Sequence, residues 1–144
     1  PDLVSANQGE DGIDDVSALL SERGVGIEAC VLSVSDTERF VAAGNASRFV
    51  RLVIEPQAHD ADDAIAQAAE MEAMVAAAGV DLPQLHHGVG AATWRVSRRA
   101  LGRGHSIRTG LEDTSLLEDG ATARSNAELT AAAAALVRDL VGDR

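Results

Sequence analysis

The chain has 144 residues, 46% of them hydrophobic and 24% charged, enough apolar surface for one packed domain and too much for a disordered segment. Its basic residues are twelve arginines with no lysine, against 23 acidic ones; the formal charge of −11 disfavours nucleic acid and anionic membrane surfaces, and 2% aromatics leave few platforms for base stacking. No apolar run approaches the roughly 18 residues of a membrane span, so a cytoplasmic protein is expected, and the single Cys30 reads as a small buried side chain.

The β-branched run at 3–7 predicts a first strand. Asp11, Asp14 and Asp15 suit the first turn of a helix, where acidic groups meet the positive end of the dipole, and Gly24 suits its left-handed end. A second strand is predicted over 25–34. Ser35 and Glu38 then have capping-box spacing for a helix that closes at Gly44. A third strand over 49–55 leads to Asp60, which can cap an alanine-rich helix ending at Gly79; Glu72 interrupts that helix's apolar face. A fourth strand is predicted over 82–87. The following Gly88-Val-Gly-Ala-Ala-Thr opens like a dinucleotide fingerprint, but its sixth position is Thr93 and no acidic residue follows in the required place. A fifth strand is predicted over 105–112. Ser125 and Glu128 start a last helix that should bury Leu129, Ala132, Ala133, Leu136, Val137 and Leu140.

Strand-then-helix units in succession imply a parallel sheet covered by helices, because parallel neighbours need crossover connections; the class is α/β. Length alone favours a complete doubly wound sheet, since a (β/α)8 barrel takes about 250 residues. Against this, the chain opens on Pro1 and enters a strand by Leu3, as though cut from something longer.

The segment Gly104-His-Ser-Ile-Arg-Thr-Gly-Leu-Glu-Asp concentrates the chemistry. On a strand over 105–112, Arg108, Gly110 and Glu112 share one face, while Ile107, Thr109 and Leu111 share the other. The first face is an odd inventory for a core unless it lines a site, and Asp113 lies just past the strand end, where α/β sites form. An internal ion pair of Arg108 with Glu112 explains the same residues equally well.

Arg108-Thr-Gly-Leu-Glu-Asp together with Ser125-Asn-Ala-Glu-Leu resembles the signature that closes the barrel in the β-keto acid cleavage enzyme family, to which 3-keto-5-aminohexanoate cleavage enzyme belongs. Pro1-Asp-Leu-Val-Ser-Ala-Asn, Gly26-Ile-Glu-Ala, Arg51-Leu-Val-Ile-Glu-Pro and Leu85-His-His-Gly with Thr93-Trp are similar to that family's fourth to seventh strands. The resemblance implies a (β/α)8 TIM barrel of which residues 1–144 form the C-terminal portion, about the last five βα units. It also implies an acyl-CoA-dependent transferase: a β-keto acid condenses with acetyl-CoA, and a retro-Claisen step releases acetoacetate and a new acyl-CoA.

By position, the resemblance makes Glu112 a ligand to a divalent metal, usually zinc. Arg108 and Asp113 become the pair that deprotonates the substrate. Glu28, which alternation aims to the same face as Cys30 and Leu32, matches a glutamate near the substrate; Ser5 and Asn7 match small polar contacts to it. His86 and His87, being adjacent, point to opposite faces of a strand, so at most one lines the pocket and neither is taken as a ligand. The amides after Gly88 suit contact with coenzyme A. The family's histidine ligands come as a His-x-His pair on its second strand, which this sequence lacks, and the family implies a homotetramer. Two other readings stay open: a small flavodoxin-like binding module in which Arg108, Glu112 and Asp113 are structural, and a divalent-metal aldolase that needs no coenzyme A.

Overall fold

A computed structural model describes residues 1–142. Its elements alternate as β1 (Leu3–Asn7), α1 (Ile13–Glu22), β2 (Gly26–Val31), α2 (Val34–Ala43), β3 (Arg51–Ile54), α3 (Ala61–Ala77), β4 (Gln84–His86), α4 (Thr93–Gly102), β5 (Ser106–Ile107) and α5 (Asn126–Val141). All five strands are parallel and lie side by side in chain order, β1-β2-β3-β4-β5. A doubly wound sheet reverses direction partway along its order; this one does not, and the arrangement is compatible with part of a TIM barrel. Crossovers that advance the same way stack the helices in succession, α2 on α3, α3 on α4 and α4 on α5. No helix among the described residues is long and apolar enough to cross a membrane.

The register separates the two faces of the sheet. Ala6, Ile27, Ala29, Val31, Leu52 and Ile54 alternate toward the helices and form the main core with Phe40, Met71 and Val75. Phe40 and Phe49 meet edge to face at 5.7 Å within it, the orientation that aromatic quadrupoles favour. On the opposite face Ser5, Glu28 and Arg51 lie in one row across three strands, and Cys30, Val53 and Leu85 lie in the next. A second core joins Trp94 and Leu101 of α4 to Leu129 and Leu136 of α5, with Ile107 packed against it.

Local chemistry explains most element ends. Asp60 caps α3 by accepting from the amides of Asp62 and Asp63 at 2.9 and 3.1 Å. Ser125 caps α5 by accepting from Glu128 N at 3.3 Å, while the Glu128 carboxylate accepts from Arg124 N at 2.9 Å. Gly44 and Gly79 take the left-handed conformation at φ 62° and 69° that stops α2 and α3.

The sequence-based boundaries need several corrections. α2 is capped by Ser33, which accepts from Asp36 N at 3.1 Å, and not by the Ser35–Glu38 pair two residues later. Asp36 in return accepts from Leu32 N at 3.0 Å, which ends β2 at Val31, short of residue 34. β5 stops at Ile107 instead of reaching residue 112, because the chain turns at Gly110, whose carbonyl accepts from the amides of Asp113 and Thr114 at 3.0 and 3.1 Å. Strand alternation therefore does not carry Gly110 and Glu112 onto the Arg108 face. Leu140 is 46% exposed, and Val141 packs toward α4 in the last turn of α5.

Glu72, the misfit on the apolar side of α3, is a buried anchor. Its carboxylate takes Arg99 at 2.5 Å, Arg103 at 2.8 Å and His105 at 3.1 Å. Burial alone would raise its pKa; the hydrogen bonds from Arg103, His105 and Arg99 outweigh that and hold it at about 2. His105 stacks on His86 with ring centroids 4.7 Å apart, and Gln84 meets His86 Nε2 at 3.0 Å. Burial, followed by the neighbouring His105 charge, pushes the His86 pKa down to about 3.

Candidate functional site

Three strands end close together and present a cluster at their C-terminal ends. Glu55 follows the last residue of β3 and His87 the last residue of β4; their amides continue the ladder to Val31 O and Ile54 O at 3.0 and 3.2 Å. Arg108 follows β5 and bonds weakly to His86 O at 3.4 Å. Alternation sends Ile107 into the helix core, so Arg108 projects to the opposite, polar face.

Asp113 reaches the same place from the loop. The turn at Gly110 reverses the chain, and Gly90 N donates to Asp113 O at 2.7 Å, pinning the residue's backbone to the start of α4. Trp94 Nε1 holds the next stretch by donating to Leu116 O at 2.8 Å. Gly88 is a packing requirement of this turn: a Cβ there would meet the Ala92 carbonyl at 3.1 Å, and Thr93 Oγ1 already donates to Gly88 O at 2.9 Å.

His87 is fully buried, with Nε2 3.2 Å from Glu55 Oε2 and Nδ1 3.2 Å from Asp113 Oδ1. Neither nitrogen is aligned for a hydrogen bond, and Asp113 Oδ2 is buried without a partner. Burial lowers the His87 pKa, but the two carboxylates outweigh it and the pKa lies above the ordinary histidine value. Burial pushes the Glu55 carboxyl up, but His87, the Gln57 amide donating to Oε1 at 3.0 Å and the Arg108 charge hold it below its ordinary value. Arg108 Nη2 stands 4.0 Å from Asp113 Oδ1, an ionic contact too long for a hydrogen bond, and Arg108 Nε is buried with no partner.

One ligand atom each from Glu55, His87 and Asp113 lies within 4.8 Å of the others. An imidazole with two carboxylates is a donor set that suits a divalent cation. One ring nitrogen of neutral His87 and the free Asp113 oxygen leave lone pairs that such an ion can use.

Deeper on the same face, Ser5 Oγ donates to Glu28 Oε1 and Arg51 Nε donates to Glu28 Oε2, both at 2.5 Å. Burial raises the Glu28 pKa, and these partners with the Arg108 charge bring it below the usual carboxylate value. Cys30, in the next row, is an inert thiol, pushed up to about 11 by burial and by Glu28.

The structure thus brings Arg108 and Asp113 together, and Ser5 with Glu28. Asn7 turns away to donate to Glu10 Oε1 at 2.9 Å. Glu112 is exposed, its carboxylate folded over Gly110, and it stands outside the Glu55–His87–Asp113 group. Reasoning from sequence missed Glu55 and Arg51 as site-face residues and did not choose between His86 and His87. The available signal was positional: an acid and an imidazole each stand one residue beyond an apolar strand.

A family model described as beta-keto acid cleavage enzyme matches residues 2–143. No curated protein matches the chain. With a match spanning nearly its whole length, and with Arg108 and Asp113 of the closing signature meeting at the strand ends, the chain belongs to the β-keto acid cleavage enzyme family.

Proposed function

We propose that residues 1–144 are the C-terminal portion of a (β/α)8 barrel that cleaves a β-keto acid against acetyl-CoA. Asp113 removes a proton from the carbon between the keto and carboxylate groups. The enolate adds to the acetyl thioester, coenzyme A passes to the substrate's keto carbon, and retro-Claisen cleavage releases acetoacetate and a new acyl-CoA. The buried carboxylate of Asp113 beside Arg108, at strand ends that open on a polar face, is the observation that carries this reading. A bound cation and the nearby Arg108 guanidinium would acidify the substrate and so ease its deprotonation by Asp113.

Glu112 is proposed as one ligand of a divalent metal, zinc by family resemblance. When bound, that ion supplies Lewis-acid polarisation of the keto oxygen. Half-buried Glu55 with buried His87 and Asp113 is the alternative seat, since one ligand atom from each lies within 4.8 Å of the others. Metal analysis separates the two: Glu112→Gln is expected to cost most of the bound metal, whereas retention of full stoichiometry would move the ion to the buried group. Glu28 and Ser5 serve the substrate side of the pocket, with Asn7 at its edge. The two sheet edges, β1 and β5, each lack a second neighbour among the described residues. Unpaired edges are an aggregation hazard that barrel closure removes, which supports further strands. Assembly as a homotetramer is part of the same proposal.

Arg108→Ala tests the reading. The expected result is a loss of about 10²- to 10³-fold in acetyl-CoA-dependent acetoacetate formation with an unchanged melting temperature, because the half-exposed guanidinium stabilises developing negative charge. A binding module with a structural Arg108 predicts the reverse, a stability defect and no such activity. Turnover that proceeds without acetyl-CoA would indicate the aldolase.

A further inference from the structure

We propose that His87 is a positioning residue: its ring holds Asp113 Oδ1 from one side while Glu55 braces the ring from the other, which fixes the direction in which the Asp113 carboxylate faces. The inference rests on the proposed role of Asp113 as base and adds how that base is aimed.

Three observations carry it. First, of the two basic side chains beside the carboxylate His87 is the nearer: Arg108 Nη2 stands 4.0 Å from Oδ1, beyond hydrogen-bond reach, whereas His87 Nδ1 is 3.2 Å from it. The main chain of Asp113 is fixed by Gly90 and Gly110, but that leaves the side-chain torsions free. Second, the ring is itself immobilised. It is fully buried, its backbone amide is tied to Ile54 O at 3.2 Å, and its Nε2 faces Glu55 Oε2 at 3.2 Å. Glu55 in turn is anchored at its backbone, through its amide bond to Val31 O. Third, the two carboxylates flank opposite ring nitrogens. A cation binds through only one of them, whereas a bridge uses both.

Neither contact has hydrogen-bond alignment in the free protein, as is common for catalytic contacts that align only when substrate binds. Aiming a base matters because a misplacement of about 1 Å can cost about 10²-fold in rate. Glu55 and Asp113 are the charged groups facing the ring, Arg108 stands beyond Asp113, and His86 is the ring's neighbour on the opposite face of the strand.

Two amide variants of the complete natural polypeptide test the arrangement. Asparagine at 87 places its N–H where Nδ1 stood, toward Asp113; glutamine places it where Nε2 stood, toward Glu55. His87→Asn is expected to keep kcat within about 10-fold of the parent, and His87→Gln to lose about 100-fold, with KM in both within about 2-fold. Bound metal should be unchanged in both. Equal losses in the two variants, or a loss that appears in KM, would overturn the positioning role. So would a drop in metal stoichiometry that tracks kcat, since His87 would then be a ligand. Asp113→Asn run alongside separates the two levels. If that variant is as active as the parent, the reading of Asp113 as base fails. If it is inactive while His87→Gln is fully active, only the role of His87 fails.

Discussion

Asp113→Asn is expected to reduce kcat for acetoacetate formation by about 10³- to 10⁴-fold while leaving the fold and KM nearly unchanged. The substitution keeps size and removes the ability to accept a proton. Asp113 is 7% exposed and its backbone is fixed by Gly90 N and by the Gly110 turn, neither of which involves the carboxylate. The loop should therefore stay in place. His87 and Arg108 lose a charged neighbour, so a modest stability change is allowed, but the rate effect should dominate. Single-turnover acetoacetate release, with circular dichroism as the control for folding, measures both. A variant that keeps a tenth of the parental rate would remove Asp113 from the chemistry.

Glu72→Leu has the largest expected effect on stability, a loss of about 3 kcal/mol. The carboxylate is the common acceptor for Arg99, Arg103 and His105, and Arg99 Nη1 is already buried without a partner. Removing the acid strands a buried guanidinium between α3 and α4, which costs more than leucine's extra apolar contact returns.

The same cluster sets the acid limit of the fold. The Glu72 pKa is depressed to about 2 from an ordinary 4.5, so its contribution is complete above about 4.5 and is lost as pH falls through about 2. The His86 pKa is depressed to about 3 from 6.5; the unfolded chain takes up that proton first, and stability falls as pH drops from about 6.5 toward 3. Between pH 6.5 and 4.5 the slope should approach, and not exceed, about 1.4 kcal/mol per pH unit from this one histidine. His87, with its pKa raised, acts in the opposite sense: its contribution is complete well below pH 6.5 and declines as pH rises past it, so it opposes the His86 slope only at the upper end of the range. Urea midpoints across that range check the sign. A flat profile would show that His86 is not held neutral.

Five strands and the helices between them are legible in the sequence because apolar β-branched runs and capping residues act locally. Asp60 and Ser125 cap as their spacing dictates. Ser33 supersedes Ser35 because the chain leaves β2 earlier than its apolar run suggests. The overlong fifth strand has the same origin: Arg108 to Glu112 alternates like a strand, yet the carbonyl of Gly110 gathers the Asp113 and Thr114 amides into a turn. Parity within one strand is enough to put Glu28 on the face of Cys30, whereas Ser5 and Asn7 follow from the family resemblance and not from alternation.

The partnership of Glu28 with Arg51, and of His87 with Glu55 and Asp113, depends on the register between strands, which is set by tertiary packing and is not written in any one segment. Glu72 looked like a defect in an apolar helix face because its partners, Arg99, Arg103 and His105, lie 27, 31 and 33 residues further along.

The most direct test of the central claim is to incubate the complete natural polypeptide with a panel of β-keto acids, with and without acetyl-CoA, and to quantify acetoacetate and acyl-CoA together. The account predicts that for at least one substrate the two products appear in equal amounts, only when acetyl-CoA is present, and that chelation of divalent metal stops both. Acetoacetate-free cleavage, or cleavage indifferent to acetyl-CoA, would contradict it.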